Sequence, residues 1–328
     1  MYVYWPVRNQ LLWGEIMKNT TKAYISALLY SFIIGFSFLF VKLTLTITSP
    51  LDTLAHRFTV AFIAANIPVI FGFIKLNISF KNILSLLPIA IFYPALFFAL
   101  QAFGLVYTSS SEAGIIQAVI PIFTMILASY LLKEYTNTSQ KISVLISVIG
   151  VIYIFIMNGL GAYETSIIGV ILILLSALSS AFYNVLARKM ANNFKLMDLT
   201  YTMTAIGFIS FNLIAIVSHI NKGTLTIYFK PFMNGTFLIS ILYLGLLSSL
   251  LTALLLNYSL SYIEAAKISV FSNLSTLITI IAGVVFLHEQ IAYYHIIGTI
   301  LIILGVVGTN FLGKKGVVVK KKNTSLSK

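Results

Sequence analysis

The chain has no cysteine, which excludes a disulfide framework, a Cys-ligated zinc site, an iron–sulfur cluster and thiol catalysis. Acidic residues are scarce, 8 Asp and Glu against 21 Lys and Arg, and charged residues of both signs make up only 9% of the 328. Soluble domains carry roughly 25% charged residues, so a water-facing surface cannot be built from this composition. No polar stretch is long enough to form a separate aqueous domain. Proline is rare and unevenly placed: Pro68, Pro88, Pro94 and Pro121 interrupt apolar runs in the first half, and the second half has none inside such a run. Proline frees backbone carbonyls and kinks helices, so hinge bending is expected to be greater in the first half. What the chain has in excess is apolar surface, 59% hydrophobic residues with a mean hydropathy of +1.00. It reads as an integral membrane protein.

Apolar runs bounded by polar clusters predict ten membrane-spanning helices. They cover 24–44, 52–74, 83–106, 111–132, 141–157, 167–188, 199–219, 235–257, 264–287 and 291–312. Runs such as Ile167–Leu178 are apolar on all faces, unlike the alternating ten-residue strands of an outer-membrane barrel. With the N-terminus placed inside, the cytoplasmic connections and tails hold 16 of the 21 basic residues. The outer connections hold only Lys222 and Lys230, while Lys42, Arg57 and Lys267 lie within spans. This split puts both termini in the cytoplasm by the positive-inside rule. The net charge of +13 is thereby an orientation signal and a contact for anionic lipid, not a nucleic-acid interface. The first 16 residues lack the apolar core and cleavage site of a signal peptide, and Met17 followed by a polar lead reads as an alternative start.

Sliding the chain against itself by 155 residues aligns Tyr107 with Tyr262, Leu132-Lys133-Glu134 with Leu287-His288-Glu289, and Gly150-Val151 with Gly305-Val306. Five predicted helices separate the copies, and an odd number inverts one copy relative to the other. Inverted repeats are the mark of secondary transporters, which exchange the conformations of two halves around a midplane site. On these residues the chain resembles a drug/metabolite transporter of the EamA type. The resemblance is carried by Tyr107-Thr-Ser-Ser-Ser-Glu112-Ala113, Pro121-Ile-Phe and Leu132-Lys133-Glu134, and in the second half by Asn257-Tyr258-Ser-Leu-Ser-Tyr262-Ile-Glu-Ala-Ala-Lys267, Asn273-Leu274 and Leu287-His288-Glu289. Gly35 to Lys42, with Pro50 and Arg57-Phe58, is similar to that family's first hairpin. Thr276 departs from the family by standing opposite Pro121.

The resemblance implies an all-α integral membrane protein with ten transmembrane helices in two inverted five-helix repeats. Residues 22–160 and 161–312 are the two repeats, between an N-terminal extension at 1–21 and a basic cytoplasmic tail at 313–328. It further implies a central cavity walled by the first, third, fourth, sixth, eighth and ninth predicted helices.

Enzyme signatures fail at single positions. His288-Glu289 begins a zinc-protease motif, but Ala292 stands where the second histidine belongs; Leu39 replaces the closing glycine of a nucleophile elbow at Gly35-Phe36-Ser37. Lys315 replaces the hydroxyl residue of a phosphate loop after Gly313-Lys314. The expectation is a non-enzyme without cofactor or metal, drawing on an ion or solute gradient.

Intramembrane charges cost about 2.5–3.5 kcal/mol at mid-helix by insertion scales. Arg57 and Glu112 lie at similar depth near the outer side, as an outer gate or a contact for a charged substrate group, or as a bridge holding two helices. Glu264 precedes Lys267 by one turn, where it either neutralises the lysine or shares an inner gate with it. Glu112 and Glu264 are the candidate proton carriers. Ser37, Phe38, Gln101, Gln117, Tyr183, Asn184, Asn257, Tyr258 and Asn273 are the candidate substrate contacts, because amides and hydroxyls in apolar runs line pockets or tie helices together. The expected function is export of a small organic solute (an amino acid, a related metabolite or a drug) across the cytoplasmic membrane by alternating access. The partners are that solute, the lipid bilayer and protons as a candidate coupling ion, with no nucleic acid. The alternatives are an uncoupled facilitator or importer of the same fold and, more remote, a membrane-embedded transferase.

Overall fold

A computed structural model describes residues 5–108, 110–158, 166–191, 193–287 and 293–312. The basic tail at 313–328 and the His288-Glu289 pair lie outside the described residues, as do the side chains of residues 5–18, Glu112 and His295. The first half contains α1 (Trp5–Leu45), α2 (Pro50–Ile70), α3 (Phe80–Ala90), α4 (Phe97–Tyr107), α5 (Ser110–Gln117), α6 (Ile120–Leu131) and α7 (Thr138–Asn158). The second contains α8 (Ile167–Met190), α9 (Leu196–Lys222), α10 (Gly235–Leu242), α11 (Thr252–Tyr262), α12 (Ala265–Ser269), α13 (Phe271–Leu287) and α14 (Tyr293–Phe311).

Local chemistry sets several boundaries. The Ser49 hydroxyl accepts the Asp52 N–H at 3.1 Å, with Pro50 in the first turn, so α2 starts with a side-chain cap, a preset φ and a carboxylate on the positive end of its dipole. Helix α9 ends where Gly223 takes the left-handed conformation, φ 64°. Two helices are interrupted by π-helical segments: Ile91–Leu96 joins α3 to α4 and holds Tyr93 at non-helical φ/ψ beside Pro94, and Tyr243–Leu251 joins α10 to α11. The second has no proline, so helix distortion is not confined to the proline-bearing half.

Six helices among the described residues are long and apolar enough to cross a membrane: Asn19–Leu45, Pro50–Ile70, Phe80–Tyr107, Ile167–Met190, Leu196–Lys222 and Gly235–Tyr262. This corrects the expected ten spans, and with them the arrangement as two inverted sets of five. Two of the expected spans break into short pieces. Residues 111–132 divide into α5 and α6, and 264–287 into α12 and α13. Window hydropathy does not register such breaks, because the residues at the turns are themselves apolar: Ala118 and Val119 in one, Val270 in the other. The span at 291–312 begins outside the described residues, and Ile296–Phe311 is a shorter apolar helix; 141–157, within α7, is not among the six.

Helices in lipid associate through close packing and small residues rather than through a hydrophobic driving force. A Cβ on Gly150 of α7 would lie 2.8 Å from Leu301 Cβ of α14, and one on Gly305 of α14 would collide with Ser147 of α7. The two glycines that the 155-residue offset pairs thus serve one interface, each admitting the other's helix. Asn273 Nδ2 donates to Ser147 Oγ at 2.7 Å, tying α13 to α7. Where proline is missing opposite Pro121, Thr276 Oγ1 instead donates to the Gly114 carbonyl at 2.9 Å, joining α13 to α5.

Candidate functional site

A small cavity is lined by Tyr30 of α1, Ile120 of α6, Ser180 and Asn184 of α8, Leu256 of α11, and Ile268, Ser269 and Ser272 around the α12–α13 break. It has room for about one water molecule. Asn184 Oδ1 is buried without a hydrogen-bond partner among the described residues. Beside it, the Tyr183 hydroxyl donates to Asn257 Oδ1 at 2.7 Å, and Asn257 Nδ2 donates to Thr200 Oγ1 at 3.2 Å. The Tyr183 ring stacks on Tyr93 at 4.4 Å between centroids. Tyr93 lies beside Thr252, whose hydroxyl donates to the Ser248 carbonyl at 2.7 Å. Arg57 engages that same Ser248 carbonyl.

Arg57 is 1% exposed. Its Nε–H donates to Ser249 Oγ at 2.6 Å, and Nη2 donates to Ser248 Oγ at 2.9 Å and the Ser248 carbonyl at 3.1 Å. The guanidinium carbon sits 4.2 Å above the Phe98 ring, within cation–π range. The π-helical segment matters here, because it turns the adjacent residues Ser248 and Ser249 toward the same guanidinium. Gly245 allows the approach: a Cβ there would stand 2.6 Å from Val60 and 2.9 Å from the Arg57 carbonyl.

The two ends of the bundle are closed differently. Lys42 Nζ donates to the Leu105 carbonyl at 2.5 Å and Gly169 abuts Tyr107, so the ends of α1 and α4 and the start of α8 share one end. There His219 Nε2 lies 2.9 Å from Asp52 Oδ1, and the other ring nitrogen faces Thr224. The His56 Nε2–H donates to the Tyr228 carbonyl at 3.0 Å, and Tyr228, Phe229 and Phe232 crowd the imidazole. Burial, and next the Asp52 carboxylate, push the Tyr228 hydroxyl up to about 12. It therefore stays a donor, to Asn212 Oδ1 at 3.0 Å.

At the opposite end, one ion pair gathers four elements. Arg188 Nε lies 3.1 Å from Glu134 Oε1, and Arg188 Nη1 donates to the Leu260 carbonyl at 2.7 Å. Glu134 Oε2 accepts the Ala265 N–H at 3.1 Å. The preceding Lys133 takes a left-handed backbone, φ 56°, unusual for a residue with a side chain, which turns the chain out of α6.

Of the residues expected from sequence, Asn184 lines the cavity, and its neighbour Tyr183 bonds Asn257. Gln117 Nε2 reaches Ser176 Oγ at 3.5 Å, and Gln101 is buried. Ser37 donates to the Ile34 carbonyl of its own helix at 2.7 Å, Phe38 packs in a cluster with Leu105 and Leu244, and Asn273 serves the α7 contact. Tyr258 packs against Tyr262 at 5.0 Å. Lys267 Nζ pairs with Glu264 Oε2 at 3.1 Å, one turn apart. For Glu112 the backbone in α5 is described and the side chain is not. Sequence reasoning missed Tyr30, Ser180, Ser269, Ser272 and the Ser248–Ser249 pair; the one signal present was their position in otherwise apolar runs.

The profile of the EamA-like transporter family matches twice, over residues 21–156 and 167–311. The chain belongs to that family. The EamA-like assignment is supported by "Uncharacterized transporter YcxC" of Bacillus subtilis, 57% identical over 295 residues, covering 90% of this chain and 95% of that one. "Uncharacterized transporter YyaM" of the same organism is 29% identical, covering 86% and 92%. A solved crystal structure aligns with a TM-score of 0.69 at 14% identity, covering 90% of this chain and 98% of its own, which shows the same fold. The protein is therefore a multi-pass membrane transporter for small molecules, not an enzyme.

Proposed function

We propose that the protein exports a small organic solute across the cytoplasmic membrane by alternating access, with both termini in the cytoplasm. The observation that carries this reading is a small cavity between helices of both halves, with a different polar pair at each end of the bundle. The Asp52–His219 pair and the aromatic cap close one end, and the Glu134–Arg188 pair closes the other. A site reached in turn from each side needs two separable closures. Residues 22–160 and 161–312, which follow the doubled family match, form the two halves that move. Tyr183, Asn184 and Asn257 form the polar wall; Gln101, Gln117, Tyr258, Ser37, Phe38 and Asn273 support it through the helices they hold.

A facilitator without proton coupling is the second reading, favoured by the Glu264–Lys267 pair, which leaves Glu264 locally neutralised. Glu112→Gln and Glu264→Gln separate the two: proton-dependent transport lost in either variant supports coupling, and an unchanged profile in both supports the facilitator. The overall reading is tested by metabolite profiles, inside and outside, of cells expressing the chain or an Asn184→Ala, Asn257→Ala variant. A solute enriched outside only with the parent supports export, depletion from the medium reverses the direction, and no change with inserted protein contradicts transport.

A further inference from the structure

We propose that the transported solute carries a single carboxylate and that Arg57 is the group that receives it, with Ser248 and Ser249. This deepens the proposed transport function and rests on it.

Two irregular helix segments converge on Arg57. The Tyr243–Leu251 segment supplies both serine hydroxyls, and the Ile91–Leu96 segment supplies Tyr93, whose ring packs on the Phe98 that lies under the guanidinium. π-Helical stretches are frequently found at functional sites, and transporters build substrate sites from interrupted helices. Here two interruptions meet at one buried cation.

The partners of that cation are weak for a membrane interior. Arg57 is held by three neutral oxygens and the face of Phe98. Among the described side chains, the ion pairs are Arg188–Glu134, His219–Asp52 and Lys267–Glu264, none of which involves Arg57. A desolvated guanidinium without a carboxylate is the costly half of a pair. Its planar fork matches a carboxylate through two parallel N–H···O bonds. The serine hydroxyls that now accept from it are able to rotate and donate to a ligand oxygen, which a backbone carbonyl cannot do. A single cation sets the charge: one carboxylate balances it, whereas a phosphate dianion would be left half compensated. The rings of Phe98, Tyr93 and Tyr183 provide an apolar wall next to the charged end, so the body of the solute is apolar or aromatic.

The test uses the full chain in proteoliposomes loaded with a bacterial small-molecule extract spiked with benzoate, benzamide and benzylamine. Released solutes are identified by mass spectrometry. The expected result, measured as release above that from protein-free liposomes, is release of monocarboxylates with no protein-dependent release of benzamide or benzylamine. Arg57→Gln is expected to cut release by about tenfold or more and Arg57→Lys to keep part of it. Ser248→Ala with Ser249→Ala, which leaves the cation in place, is expected to slow acid release while the protein still inserts and melts cooperatively. Neutral or cationic solutes released in preference to acids would overturn the carboxylate inference while leaving transport standing. So would folded Arg57→Gln that releases acids like the parent. No release of any solute by inserted parent protein would overturn the transport function itself, and this inference with it.

Discussion

At the scale of single residues, a short relay of hydrogen bonds runs from Tyr183, the neighbour of the cavity-lining Asn184, through Asn257 to Thr200. Such bonds between membrane helices contribute on average about 0.6 kcal/mol each. Tyr183→Phe is therefore expected to shift the melting temperature only slightly in a membrane mimic. Transport should fall much further, because the variant removes the donor that fixes the amide of Asn257. Equal small losses in both measurements would assign the tyrosine to packing alone. Tyr228 makes a contrasting case at the bundle end. Its hydroxyl, raised to about 12, remains protonated at neutral pH, and its bond to Asn212 contributes roughly 0.5–1.5 kcal/mol. Tyr228→Phe should lower stability by that order, with a deficit that is the same from about pH 6 to pH 9. A deficit that grows across this range would contradict a proton held that tightly.

Asn184, Asn257 and Tyr183 were conspicuous in the sequence because an amide or phenol inside a long apolar run stands out. Ser180, Ser269, Ser272, Ser248 and Ser249 were not. Serine is common at helix contacts in membranes, and nothing in composition separates one that lines a cavity from one that bonds its own helix, as Ser37 does. The Glu134–Arg188 bond was equally hidden. Both residues were visible as charges near span ends, but their meeting depends on the tertiary arrangement and on the left-handed turn at Lys133.

At the scale of elements, the proposed alternating access assigns its movement to the π-helical joint between α10 and α11 and the bond network around Arg188. Gly245 keeps α2 against that joint. Gly245→Val would place side-chain atoms where Val60 and the Arg57 carbonyl stand, and overpacking of this kind costs about 1–3 kcal/mol. The variant is expected to melt earlier and to transport poorly, and parent-like behaviour would show that the close approach is not needed. Proline pointed to the joint at Ile91–Leu96 through Pro94, but nothing comparable flagged Tyr243–Leu251, where the distortion follows from packing. Continuous hydropathy also concealed the breaks between α5 and α6 and around Val270, and so overcounted the membrane-crossing helices.

At the scale of the whole molecule, the account requires a closed protein that opens on alternate sides of one cavity. The absence of native cysteine makes this directly measurable, since one introduced thiol is the only one present. Ser180 lines the cavity and is buried. The decisive measurement is labelling of Ser180→Cys by a membrane-impermeant maleimide applied from the outside of cells and, separately, from the cytoplasmic face of inverted vesicles. The same thiol is expected to react slowly from both sides in the parent background. Reaction from the cytoplasmic face should rise at least several-fold with Glu134→Gln, and reaction from the outside with Asp52→Asn. Labelling from one side alone, unmoved by either substitution, would contradict alternating access to this cavity.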